Sequence, residues 1–192
     1  MNLASLRALL AAPSLALALT SCVDNSQDIH YVPTPPAVVD EMLRLAQIED
    51  GDVLYDLGSG DGRIVIAAAR DYGIRAVGIE IDDALLEESR ENAREAGVSN
   101  LVEFRKQDLF ETDLNEVDVL AIYLGSTLNL RLRPHIMEQM QPGSRVVSQS
   151  FAMGGWIPDV EKVVENHNVF KWTVPEQFID GFPNVLPDDA AD

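Results

Sequence analysis

The chain reads as one doubly wound α/β domain with a mainly parallel sheet and a C-terminal antiparallel hairpin. Three observations carry that reading. Short apolar runs alternate with helix-patterned segments at least four times, the order that builds parallel βαβ units. Asp56, Glu80, Asp108 and Tyr123 fall at or just after the predicted strand ends, where such folds bind ligands. A length of 192 residues suits one sizeable core and is too short for two.

The elements follow in chain order. Met1 to Arg7 is a short positive start, and Ala8 to Leu19 is an apolar run too short to span a bilayer. Leu19-Thr20-Ser21-Cys22 resembles the lipobox of bacterial lipoproteins and contains the single cysteine of the chain. On that resemblance, residues 1–21 are a signal peptide and Cys22 carries a lipid. The implied location is a bacterial cell envelope, at the outer membrane in a Gram-negative cell because position 23 is Val rather than Asp. Without a working leader the domain would stay in the cytoplasm. Residues 22–29 are a polar tether, 30–182 the folded domain and 183–192 an acidic tail.

His30 to Pro36 holds three prolines, which forbid regular structure, and Thr34 is placed to cap a helix over Ala37 to Ala46. Val53 to Leu57 is the first strand, Gly62 to Tyr72 a helix closed by Gly73, and Ala76 to Glu80 the second strand. Asp82 or Asp83 caps a helix ending near Gly97, and Val102 and Phe104 alternate on a third strand. Val117 to Leu124 is the fourth strand. Leu128 to Met140 is helical in pattern, with Pro134 starting its second part. Arg145 to Ser150 is the fifth strand, and Val163-Val164 with Val169 to Val174 form the terminal pair.

The chemistry centres on Asp56-Leu57-Gly58-Ser59-Gly60-Asp61-Gly62. Alternate glycines let a strand turn sharply into a helix and leave the backbone open to a ligand. A nicotinamide fingerprint needs glycine three places after Gly60, and that position is Arg63. The G-x-G-x-G spacing behind an acid instead resembles the first motif of class I S-adenosylmethionine (SAM) methyltransferases. Further stretches, Tyr31-Val32-Pro33-Thr34-Pro35-Pro36, Asn129 to Pro134 and Gly154 to Asp159, resemble one bacterial subgroup of that class. The subgroup is similar to the ATP synthase c-subunit lysine methyltransferases and, more distantly, to the non-SET histone lysine methyltransferases. The likeness covers about Tyr31 to Val174.

That resemblance implies SAM as cofactor. It places Asp56 at the amino-acid end of SAM, Glu80 on the ribose hydroxyls, Asp108 on the adenine amine and Leu109 behind the ring. Gly58, Ser59, Gly60 and Gly62 form the cradle, and Tyr31 and Thr34 fold over the methionine end as a lid. Tyr123 and Asn129, just after strand four, are the candidates to face the nucleophile. His30 and His135 stand without ligand-spaced partners and read as surface or packing residues, and no metal site is expected.

The implied acceptor is a protein lysine. A small molecule is one alternative. Another is a catalytically silent, lipid-anchored binding protein, because SAM is made in the cytoplasm and an exported enzyme would lack it. A net charge of −18 disfavours nucleic acid as partner; it suits a basic partner or a saline habitat. The expected state is a monomer, held to the membrane through Cys22.

Overall fold

The computed structural model describes residues 31–176. Cys22, the leader, the tether, His30 and the acidic tail lie outside the described residues. Four helices are present in that span: α1 (Pro36–Ala46), α2 (Arg63–Tyr72), α3 (Asp83–Glu95) and α4 (Ser126–Gln139). Seven strands accompany them: β1 (Val53–Leu57), β2 (Arg75–Glu80), β3 (Val102–Lys106), β4 (Val119–Ile122), β5 (Arg145–Gln149), β6 (Val160–Val164) and β7 (His167–Thr173).

All seven join one sheet in the order β3-β2-β1-β4-β5-β7-β6. The first five are parallel, and β7 runs antiparallel to β5 and β6. Strand order reverses between β1 and β4, so the switch point lies beside the glycine loop.

Side-chain alternation divides the core between the two faces of the sheet. Tyr55, Leu57, Val77, Ile79, Leu120 and Ile122 face Leu132 and Ile136 of α4. Leu54, Ala76, Val119, Ala121 and Val147 face Val38, Met42 and Leu43 of α1 and Val65 and Ala68 of α2. Both faces are covered, which is why the strands read as nearly continuous apolar runs.

Three expectations are corrected. Thr34 does not cap α1; Pro35 occupies that place, and Thr34 is turned inward and buried. The fourth strand is shorter than Val117 to Leu124, because its neighbours pair only with Val119 to Ile122; Val117 and Leu124 are buried without joining the ladder. Pro134 sits inside one unbroken helix rather than starting a new one. Trp156, between β5 and β6, is buried against Trp172, whose Nε1 donates to the Trp156 carbonyl at 2.8 Å.

Candidate active site

The carboxyl ends of β1 to β5 lie along one edge of the sheet, and two groups of residues gather there. The first surrounds the glycine loop. Gly60 and Gly62 have φ of +54° and +80°, and a Cβ on Gly60 would lie 2.2 Å from Cε2 of Tyr31. The tyrosine ring therefore rests directly on the loop, in the space that a glycine leaves.

The loop amides are turned inward. Gly58 and Ser59 N–H both donate to the Ile79 carbonyl, at 2.8 and 3.0 Å. Gly60 N–H donates to Oε2 of Glu80 at 3.0 Å, and Gly62 N–H to the Ser59 carbonyl at 2.9 Å. A phosphate-binding loop keeps such donors for its anion. This one spends them on itself and presents carboxylates.

Asp56 is 3% exposed, and its carboxyl takes no hydrogen bond from any described residue. Burial first, and then the charges of Glu80 and Asp61, push its carboxyl up to about 8. Such a group keeps a proton or takes a cation. Glu80, at the end of β2, accepts from Gly60 through one oxygen and from Ile81 and Asp82 N–H through the other, at 2.7 and 3.0 Å. Asp108 is exposed after β3, where one oxygen caps the turn at Phe110 N–H and the other lies open; Leu109 is half-buried beside it.

Sequence reasoning missed Arg63 as a site residue. Its guanidinium grips Asp61 through two bonds (2.9 and 2.6 Å), donates to the Thr34 carbonyl at 2.7 Å and reaches the Tyr31 hydroxyl at 3.4 Å. Burial would raise Asp61, but the Arg63 bonds hold it below the usual carboxylate range. One arginine thus ties the Tyr31–Pro36 segment to the loop. The signal in the sequence is the same Arg63 that breaks the nicotinamide spacing.

The Ser59 hydroxyl is buried, has no partner among the described residues and lies over Gly78 of β2.

The second group sits at the ends of β4 and β5. Tyr123 is half-buried and nearly parallel to Phe151, with centroids 6.2 Å apart. Asn129 does not face open space. It is fully buried, and its amide donates to the Phe151 carbonyl at 2.9 Å and reaches the Ser148 hydroxyl at 3.4 Å. His135 is a packing residue, held between the Thr112 carbonyl and Gln139.

These residues fit a cationic ligand with an adenosine body. The buried carboxyl of Asp56 lacks a positive partner, and four of the loop amides are already committed within the protein. SAM carries an ammonium and a sulfonium, and it meets both conditions.

Comparison with known proteins agrees. The family model described as the ANTKMT methyltransferase domain matches residues 56–160. A protein-lysine N-methyltransferase of Saccharolobus islandicus is 40% identical over 153 residues, covering 77% of this chain and 95% of that enzyme. The ATP synthase c-subunit lysine N-methyltransferase of Xenopus laevis is 33% identical over 129 residues, covering 67% of this chain and 56% of that enzyme. The chain thus spans only about half the length of that enzyme and of its mammalian counterparts. Among solved structures, one described as an RNA methyltransferase from Salinibacter ruber, bound to S-adenosyl-L-homocysteine (SAH), is 55% identical. Its TM-score is 0.76, covering 78% of this chain and 98% of that one. A SAM-dependent methyltransferase of Thiobacillus denitrificans, also with SAH, is 25% identical at a TM-score of 0.56, covering 65% of this chain and 52% of that one.

Proposed function

The chain belongs to the ANTKMT methyltransferase family of SAM-dependent enzymes, and on that premise we propose that it methylates the ε-amine of a protein lysine. The observation that carries the acceptor is the alignment with the Saccharolobus protein-lysine enzyme, which runs over nearly all of that protein. The acidic surface supports it: at −18 the chain attracts a basic protein and repels a polyanion.

Bound SAM supplies an electrophilic methyl. A lysine nitrogen arriving neutral would take that methyl while the C–S electron pair stays on sulfur as SAH, and the methylated ammonium would release its proton to solvent. The protein contributes alignment and a water-poor site.

Asp56 would hold the cofactor ammonium. Glu80 already accepts three backbone N–H bonds and would offer the ribose its remaining lone pair. Asp108 would accept from the adenine amine, with Leu109 to back the ring. Tyr31 and Thr34 would close the methionine end, and Tyr123 would face the acceptor. Asn129 acts from within the fold, on Phe151 and Ser148.

An RNA acceptor is the second reading, favoured by the description of the Salinibacter structure. Tritiated SAM offered to a bacterial lysate decides between the two. Label recovered as methyl-lysine after acid hydrolysis of the protein fraction supports the lysine reading; label confined to RNA replaces it. The lipobox-like Leu19 to Cys22 supports export as a lipoprotein. Palmitate incorporated at Cys22 in cells is the expected result, and a soluble, unlabelled product overturns it.

A further inference from the structure

Phe151 follows the last hydrogen-bonded residue of β5, and three independent features fix its position. Its N–H donates to the Gln149 carbonyl at 2.8 Å, closing a three-residue turn centred on Ser150. Ser150 has φ of +63°, a left-handed conformation that costs a non-glycine residue about 1–3 kcal/mol and persists only where the surroundings enforce it. Those surroundings are visible. Ser150 N–H is held by the Asn168 carbonyl of β7 at 2.7 Å, and the Phe151 carbonyl accepts from both Ser148 Oγ (2.7 Å) and Asn129 Nδ2 (2.9 Å). Beyond it, the Met153 carbonyl accepts from Arg133 at 3.0 Å.

All of this fixes one half-buried aromatic ring against Tyr123. The pair stands beside the cofactor loop: Leu124, the neighbour of Tyr123, lies 3.2 Å from where a Cβ on Gly58 would be. Strain held next to a reactive site, on a chain segment with no other evident task, marks a part of the site.

We infer that Phe151 is a specificity-determining residue for the acceptor, its ring and that of Tyr123 forming the wall along which the aliphatic stem of the lysine lies. This rests on the lysine reading. Two aromatic faces exclude water from the stem and favour the positive charge that arrives on nitrogen with the methyl. The rigid placement also limits the amine as it grows. Each added methyl enlarges the head, which must rotate to present its lone pair again, and a fixed ring restricts that rotation. Ser148 and Asn129 are positioning residues that act through Phe151.

The test uses the full chain, tritiated SAM and the heat-treated protein fraction of a bacterial lysate. Mono-, di- and trimethyl-lysine are separated after hydrolysis, and SAH affinity is measured by calorimetry in parallel. Phe151→Ala is expected to lower methyl-lysine formation about 10- to 100-fold, the scale of a misplaced reactant. It should also shift the product ratio toward trimethyl-lysine, with SAH affinity unchanged within about twofold. Phe151→Tyr restores the ratio, and Ser148→Ala gives an intermediate shift. An unchanged rate and ratio with intact SAH binding overturns the inference while leaving the lysine reading in place. If Phe151→Ala loses SAH binding through misfolding, the volume-conserving Phe151→Leu decides by the same ratio. A wild-type reaction without methyl-lysine overturns the lysine reading, and this inference with it.

Discussion

The two halves of the site are built on opposite principles. Around the ends of β1 to β3 the ligand-facing groups are carboxylates, and the backbone is satisfied by itself: Ile79, Glu80 and Ser59 absorb the loop amides while Asp56 is left without a partner among the described residues. Around the ends of β4 and β5 the groups are aromatic, and the polar residues, Asn129 and Ser148, point inward to hold a backbone carbonyl. One half waits for charge and the other for shape. On the proposed lysine reading, a cofactor of fixed structure would be met by fixed electrostatics and a protein side chain by a wall whose position is set from behind.

The strongest break of that contrast is Asp56→Asn. Removing one member of a buried ionic pair costs about 3 kcal/mol, so SAM affinity should fall by roughly 100-fold or more in calorimetry. The pH dependence sharpens it. The folded carboxyl titrates at about 8 against 3.8 unfolded, so the folded chain binds more protons between those values. Stability without cofactor should therefore be fully present below about pH 4, fall as pH rises toward 8 and level off above it, a drop of about 6 kcal/mol at the upper bound. Saturating SAM should flatten the slope, and so should Asp56→Asn. A wild-type slope persisting in Asp56→Asn would reassign the titrating group.

Gly60→Ala comes next. The new methyl would lie 2.2 Å from the Tyr31 ring at a φ of +54°. Thermal unfolding should report a loss of about 1–3 kcal/mol, and SAM binding should weaken roughly tenfold. Adding Tyr31→Ala should relieve the clash but not the backbone strain. Strict additivity of the two substitutions would mean that the ring does not rest on the loop in solution.

How legible each half is from sequence follows from the same contrast. Carboxylates at strand ends and glycines at fixed spacing are one-letter signals, so Asp56, Glu80 and Asp108 can be set at strand ends from the residues alone. The boundaries of β1 are equally readable, and the cap of α3 is readable to within Asp82 or Asp83, of which the structure uses Asp82, since a strand flanked by turns and an acid before a helix leave local traces. The acceptor half leaves none. Phe151 is an ordinary aromatic residue, and its aim depends on a positive φ at a serine and on hydrogen bonds spanning 3 and 22 residues. Helix α4 invites a misreading at Pro134 because buried Asn129 and Arg133 break its apolar stripe, which hides the continuous period. Thr34 resembles a cap in sequence because it precedes the prolines, whereas its backbone carbonyl is held by Arg63, 29 positions away.

Arg63→Lys tests that long-range tie. Lysine keeps the charge but loses the fork that holds Asp61, Thr34 and Tyr31 together. The Arg63 side chain is a third exposed, so the screened pair contributes about 1 kcal/mol or less. Proteolytic cleavage between Tyr31 and Val32 should quicken by up to about fivefold, with thermal unfolding nearly unchanged. A large loss of thermal stability would mean that Arg63 supports the whole fold rather than the lid.

The smallest effect belongs to the acceptor half, and its sign is what matters. Ser150→Gly relieves a left-handed residue while keeping the N–H that Asn168 holds. Strain relief is offset by the greater freedom of glycine in the unfolded chain, so stability should change by about 1 kcal/mol or less, with a gain expected. SAH affinity should not move, because no loop carboxylate is touched. A clear loss of stability would show that the serine side chain itself holds the turn. The small gain would instead place the strain in the backbone, where the fold sustains it to keep one ring in position.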